Sequence, residues 1–152
     1  MATRVQPYIA VVGGGSCSSE VAALAEEVGR LVAESGCVLV CGGLGGVMAA
    51  ASRGAKRAGG TTIGILPGTD PAAANPDIDH AICTGLGEAR NVCIVMTADA
   101  LIALPGEYGT LSEISFALKY KKPVISLGSW EISDRILRAT NATEAVKRAL
   151  DE

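Results

Sequence analysis

Apolar residues fall along this chain in two alternating kinds of stretch: short runs without polar interruption, and longer segments where they recur every third or fourth position. The run Pro7-Tyr-Ile-Ala-Val-Val-Gly13 ends in three glycines, which predicts a strand feeding a tight turn. Serines between Ser16 and Ser19 offer helix caps. Val21, Leu24, Ala25, Val28, Leu31 and Val32 then keep helical spacing until Gly36 closes the helix. Cys37-Val-Leu-Val-Cys41 is a second buried strand, followed by Gly42, Gly43, Gly45 and Gly46. The Ala-rich segment Val47 to Ala58 predicts a helix stopped by Gly59-Gly60, and Thr61–Leu66 a third strand ended by Pro67-Gly68.

Asp70 to Asp79, with its prolines and Asn75, predicts a loop. A short strand at Ala81–Cys83 and a short helix from Glu88 to Met96 follow, then a strand at Ala100–Leu104 and a helix at Thr110–Tyr120. Pro123–Leu127 predicts a further strand, and helical stretches near Ser133–Arg138 and Ala142–Leu150 finish the chain, the last opened by Asn141 and Glu144. Strands that are continuously apolar and alternate with helices predict a mostly parallel sheet buried on both faces. The expected architecture is a Rossmann-like three-layer α/β sandwich, one domain over residues 1–152. Such sheets bind ligands outside the carboxyl ends of their strands, where strand order reverses.

Composition narrows the function classes. Apolar residues are 49% and charged residues 19%, which excludes a disordered chain. A net charge of −3 leaves no electrostatic footprint for nucleic acid or an anionic membrane. No apolar run reaches the ~18 residues of a membrane span, and no leader pattern opens the sequence. The five cysteines are odd in number and sit mostly in apolar runs, so the expectation is a cytoplasmic protein without disulfides. A single histidine, His80, gives little basis for a metal cluster, and the expected metal content is none.

Three strand-to-helix turns are rich in glycine: Gly13, Gly14 and Gly15; Gly42 to Gly46, with Gly43, Gly45 and Gly46 as binding candidates; and Pro105, Gly106, Glu107, Tyr108, Gly109 and Thr110. A parallel sheet puts all three on one rim, where backbone N–H groups at helix starts suit a phosphate-bearing ligand. There is no Gly-Lys-Ser/Thr sequence, which excludes a P-loop triphosphate site. The second strand ends in Cys41-Gly42, where a ribose-binding acid would mark a dinucleotide enzyme.

The segment Glu88-Ala-Arg-Asn91, with Thr97-Ala-Asp-Ala-Leu-Ile-Ala-Leu-Pro-Gly-Glu-Tyr-Gly-Thr-Leu-Ser-Glu113, resembles the signature of the LOG-like family, long mislabelled lysine decarboxylase. The family pattern Pro-Gly-Gly-x-Gly-Thr-x-x-Glu is matched except at Glu107, and Arg90 falls on the family arginine, followed here by Asn91 rather than Lys. The resemblance covers about Tyr8 to Leu127. Ala74-Asn-Pro76 and Thr84 to Asn91 resemble the branch that includes the molybdenum cofactor carrier protein of algae.

The resemblance implies a phosphoribohydrolase that cleaves the N-glycosidic bond of a nucleoside 5′-monophosphate and requires no cofactor. In that reading Glu113 stabilises the ribose cation or activates water and Arg90 clamps phosphate or ribose. The alternative it implies is a non-catalytic carrier of a molybdopterin-type cofactor, or a nucleotide sensor. It also implies a homodimer or homotetramer, an assembly for which the helices Val47–Ala58 and Leu111–Leu118 offer apolar surface.

Plainer readings stand beside these. Thr110-Leu-Ser-Glu113 has the spacing of a capping box. Arg90 reads as a surface helix arginine, Glu107 as solvent-facing, Cys17 as a small packing residue and Trp130 as packing at the end of the sheet.

Overall fold

The sheet begins in its middle. The computed structural model describes residues 5–152, and its first strand, β1 (Tyr8–Val12), becomes the central one. The elements that follow are α1 (Ser19–Glu34), β2 (Val38–Cys41), α2 (Val47–Arg57), β3 (Thr62–Leu66), β4 (His80–Cys83), α3 (Arg90–Thr97), β5 (Ala100–Ala103), α4 (Tyr108–Lys119), β6 (Val124–Ser126), β7 (Leu137–Arg138) and α5 (Ala142–Asp151). From β1 the chain winds outward through β2, β3 and β4, then crosses back to lay β5 on the other side of β1 and winds out through β6 and β7. The resulting order is β4-β3-β2-β1-β5-β6-β7, with every pair parallel. The expected Rossmann-like α/β sandwich is the observed fold, and the reversal of strand order falls between β1 and β5.

Alternate residues of β1 serve opposite helical layers. Ile9 and Val11 join Leu39 and Ile102 against α1, α2 and α5, while Ala10 and Val12 join Val40 and Leu101 against α3 and α4. Burial on both faces explains why these strands are apolar throughout rather than alternating. Helices α1 and α2 cross closely because each meets the other with a glycine. A Cβ on Gly29 would collide with the carbonyl of Ala51, and one on Gly54 with the carbonyl of Glu26. Glu26 also accepts from Arg53 at 3.1 Å and pairs with Arg57 along the rim of this contact.

Four expectations need correction. Helix α4 starts at Tyr108 with Glu107 as its N-cap, two residues before Thr110, so Thr110 is the third helical residue and Glu113 lies a turn deeper. The capping box is therefore absent: its spacing is present in the sequence but out of register with the helix start. The stretch Ser133–Arg138 is not helical. It holds one turn, with the Ile136 N–H bonded to the Ser133 carbonyl at 3.2 Å, and then β7, whose Leu137 and Arg138 pair with Ile125 and Ser126. Unpaired edge groups of β6 outweigh a helical preference only six residues long. The helix expected from Glu88 begins with a 3-10 turn at Gly87–Ala89 and is α-helical only from Arg90. Finally, α2 is covered within its own chain, with Val47, Ala50, Ala51 and Ala55 buried against α1 and the sheet, so it holds no spare apolar face for an assembly.

The glycine crossing gives a direct test. Gly29→Ala and Gly54→Ala each improve helix propensity yet place a methyl group in a backbone contact, so urea titrations are expected to show a loss of ~1–3 kcal/mol for each.

Candidate functional site

The turns that follow β1, β2 and β5 are laced together by backbone. The Gly14 N–H donates to the Pro105 carbonyl at 2.9 Å, and the Gly14 carbonyl accepts from the Val47 N–H, at the start of α2, at 3.0 Å. A Cβ on Gly106 would meet the Thr110 hydroxyl and, at 2.8 Å, the Gly14 nitrogen, so this close approach requires glycine. Beside the laced turns, at the β1/β5 reversal, opens a cleft of about 540 Å³. Its position is the one that parallel-sheet topology dictates.

Nine of the sequence-derived candidates line this cleft: Gly13, Gly14 and Gly15 from the first turn, Arg90, Gly106 and Glu107, and Gly109, Thr110 and Glu113 from α4. Pro105 and Tyr108 belong to the third turn but are not among the cleft-lining residues. Gly43, Gly45 and Gly46 do not line it. The Gly43 N–H donates to the Cys41 Sγ at 3.3 Å, and its carbonyl accepts from the Asn75 N–H at 2.9 Å. The Asn75 side chain also donates to the Leu44 carbonyl at 2.9 Å, so the loop containing Asn75 clasps the second turn from outside. From that turn only Gly42 reaches the cleft.

The start of α4 is receptive to an anion. No side chain caps it, and among the described residues no protein group accepts from the amides of Gly106 through Thr110. Orphan N–H groups at a helix N-terminus carry the positive end of the helix dipole and suit a phosphate. Helix α1 differs, because the Ser18 hydroxyl accepts from Val21 N–H at 3.2 Å.

Arg90 is buried, not a surface arginine. Its Nε donates to the Ile65 carbonyl at 2.8 Å, its Nη2 to the Gly42 carbonyl at 3.3 Å and its Nη1 to the Asn91 Oδ1. The two carbonyls belong to the carboxyl ends of β2 and β3, so the sheet itself holds the guanidinium at the cleft. A side chain on Gly42 would run into it, 2.6 Å from Nη2. Three of the five guanidinium N–H groups are thereby bound, and the other two have no hydrogen-bond partner among the described residues. Asn91 extends the network by donating to the Ser112 hydroxyl at 3.1 Å, which joins α3 to α4.

Glu113 is 7% exposed and has no hydrogen-bond partner among the described residues. Burial pushes its carboxyl up to about 8, against the pull of the Arg90 guanidinium. At neutral pH the group is largely a neutral acid at the edge of the cleft, able to give up a proton. Glu107 is exposed and lines the cleft, as does Glu88.

Several neighbours received no site role from sequence, although Glu88 and Asn91 belong to the signature segment Glu88-Ala-Arg-Asn91. Ser16, Met48 and Glu88 line the cleft, and Asn91 positions Arg90. Trp130 does more than pack at the end of the sheet. Its Nε1–H is shared between the carbonyls of Gly106 at 3.0 Å and Glu107 at 3.2 Å, and its ring stacks on Tyr108 with centroids 6.2 Å apart. A lone tryptophan beyond the last long strand carries no periodicity that would reveal this. Cys17 is exposed near the start of α1 and His80 sits on the edge strand, both outside the cleft lining.

A doubly wound parallel sheet with a cleft at its switch point, floored by free backbone amides, defines an α/β ligand-binding protein of the Rossmann type. The SLOG cluster4 family matches residues 6–151, and the chain belongs to that family. It is similar over 98% of both chains to the molybdenum cofactor binding protein of the phototrophic bacterium Rippkaea orientalis, with 36% identity and a TM-score of 0.93. Similarity to the molybdenum cofactor carrier protein of Chlamydomonas reinhardtii covers 97% of this chain and 99% of that one, with 34% identity and a TM-score of 0.86. The cytokinin riboside 5′-monophosphate phosphoribohydrolase of Mycobacterium tuberculosis is 34% identical over 122 residues, 74% of this chain and 65% of that enzyme. The chain thus spans just under two thirds of that relative's length. Among the described residues no helix is long and apolar enough to cross a membrane.

The Glu113 environment sets a pH dependence with a definite sign. The unfolded chain releases this proton near 4.5 and the folded chain near 8, so the folded state binds more protons in between and loses stability as pH rises through that window. The loss is on the order of 4 kcal/mol by pH 8 and above. Stability measured against pH is expected to fall more steeply in the wild type than in Glu113→Gln between about 4.5 and 8.

Proposed function

We propose that the switch-point cleft binds a phosphomonoester ligand, with the phosphate on the amides of Gly106 to Thr110, and that the ligand is a nucleoside 5′-monophosphate hydrolysed at its N-glycosidic bond. The observation that carries the binding reading is the run of unpartnered amides at the uncapped start of α4. The free N–H groups of Arg90 reach phosphate or ribose oxygens, with paired donors suited to paired acceptors. Similarity to the mycobacterial phosphoribohydrolase supports the reaction.

In that reaction the C1′–N bond breaks and its electron pair goes to the base nitrogen, which takes the Glu113 proton. The carboxylate left behind faces the oxocarbenium-like centre. Water adds its oxygen to C1′ and returns a proton to Glu113, giving free base and ribose 5-phosphate. No further cofactor is needed. The chain acts as a single domain in the cytoplasm, as a homodimer or homotetramer; exposed Ile82, Leu86 and Met96 offer apolar surface for that assembly.

A second reading is favoured by the near-complete match in length to the molybdenum cofactor binding and carrier proteins. In it the same cleft holds the phosphate of a molybdopterin-type cofactor as cargo, without turnover. Incubation with a panel of nucleoside monophosphates separates the two. The hydrolase reading expects free base and ribose 5-phosphate, with kcat falling at least ~100-fold in Glu113→Gln. No turnover across the panel, with a molybdopterin fluorophore retained through purification, supports the carrier.

A further inference from the structure

The indole N–H of Trp130 ends on two successive carbonyls, Gly106 at 3.0 Å and Glu107 at 3.2 Å. Among the described residues no peptide bond is cis. In a planar trans peptide the carbonyl and the following N–H point in opposite directions. The Gly106 carbonyl shares its plane with the Glu107 N–H, and the Glu107 carbonyl with the Tyr108 N–H. The Glu107 carbonyl also accepts from the Leu111 N–H at 3.0 Å, so α4 itself helps to set the Tyr108 amide. Among the described residues the indole is the one donor on the Gly106 carbonyl and thereby turns the Glu107 amide to the other side. Gly106 and Glu107 line the cleft and Trp130 does not, so the side opposite the indole is the cleft side.

Other contacts hold the indole in place. Its ring is half-buried against the cluster that covers the α3 and α4 face, with the exposed Tyr108 ring stacked on its outer side. The loop that carries it is fastened at its base, where the Ser129 N–H donates to the Ser126 hydroxyl at 3.0 Å. A glycine-containing turn such as Pro105-Gly106-Glu107 has many conformations of its own, and a fixed donor selects among them.

We propose that Trp130 is a positioning residue for anion binding. By holding the Gly106 carbonyl behind the turn, and sharing the Glu107 carbonyl with the first hydrogen bond of α4, it keeps the Glu107 amide aimed into the cleft before any ligand arrives. This rests on the reading that phosphate sits on the Gly106–Thr110 turn. Trp130 touches no ligand and acts through the backbone.

The test is a titration with inorganic phosphate followed by amide ¹H–¹⁵N resonances, alongside thermal melts. In the wild type the Glu107 and Tyr108 amides are expected to move on binding. In Trp130→Phe, which keeps an aromatic ring and removes the donor, phosphate is expected to bind about tenfold more weakly. The saturating shift at Glu107 shrinks more than those at Tyr108, Gly109 and Thr110. Unchanged affinity with unchanged shifts overturns the proposal, as does a binding loss that merely follows a lowered melting temperature.

Two further measurements decide the matter if the phenylalanine variant does not fold. Replacing Trp130 by 3-benzothienylalanine keeps the shape of the ring and exchanges N–H for sulfur, and the same weakening is expected. In the wild type, reciprocity of coupled equilibria requires phosphate to slow hydrogen exchange at the Trp130 indole; an unaltered exchange rate overturns the inference. A wild type in which no amide from Gly106 to Thr110 responds to phosphate defeats the binding reading itself, and this inference with it. A response with no dependence on Trp130 defeats only the inference.

Discussion

Gly14 is the stitch on which this architecture closes. Through its N–H to Pro105 and its carbonyl to Val47 it joins the turns after β1 and β5 to the start of α2, at the point where strand order reverses. A parallel sheet that winds both ways from its first strand must leave a crevice there, because the connections depart in opposite directions. The stitch turns that topological gap into a defined cavity. Glycine is required by the closeness of the turns: Gly46 has a positive φ of 60° and packs against Gly14 and Gly15, while Gly106 leaves room for Gly14 and Thr110.

The charged groups of the cleft follow from the same geometry. A buried guanidinium is tolerated when its donors are satisfied. Arg90 meets that condition for three of its five N–H groups, with carbonyls at the ends of β2 and β3 and with Asn91. Its position is thereby fixed by the most rigid part of the molecule. Glu113 is the counterpart: a carboxyl brought into the same cavity by α4 and left without a hydrogen bond, so that loss of hydration dominates its ionisation. One group is held by many contacts and the other by few, which divides an anchored charge from a movable proton.

The fold was legible because burial on both faces leaves uninterrupted apolar runs, and because glycines mark where those runs end. The glycines of the first and third turns could be assigned to one rim for the same reason, whereas Arg90 and Glu113 were assigned through the family resemblance; the structure brings all of them to one cleft. What could not be read depends on contacts between distant segments. Helix α4 starts at Tyr108 with no side-chain cap to mark it, and a capping-box spacing at Thr110 pointed two residues too far along. Strand β7 is too short to have a pattern and exists through its pairing with β6. Gly43 and Gly45 resemble cleft residues in sequence, yet Cys41 and Asn75 engage their turn from the side away from the cavity. Trp130 reaches its carbonyl partners across more than twenty residues of chain.

The bare start of α4 has one more consequence. A helix whose first amides are left unsatisfied is less stable at that end than its sequence could have made it, since Ser or Asp at position 107 would cap it from within. The protein instead leaves the end of the helix to be finished by whatever enters the cleft. In the proposed reading a bound phosphate supplies the missing cap, so occupancy adds stability to a helix start that Trp130 already holds in shape.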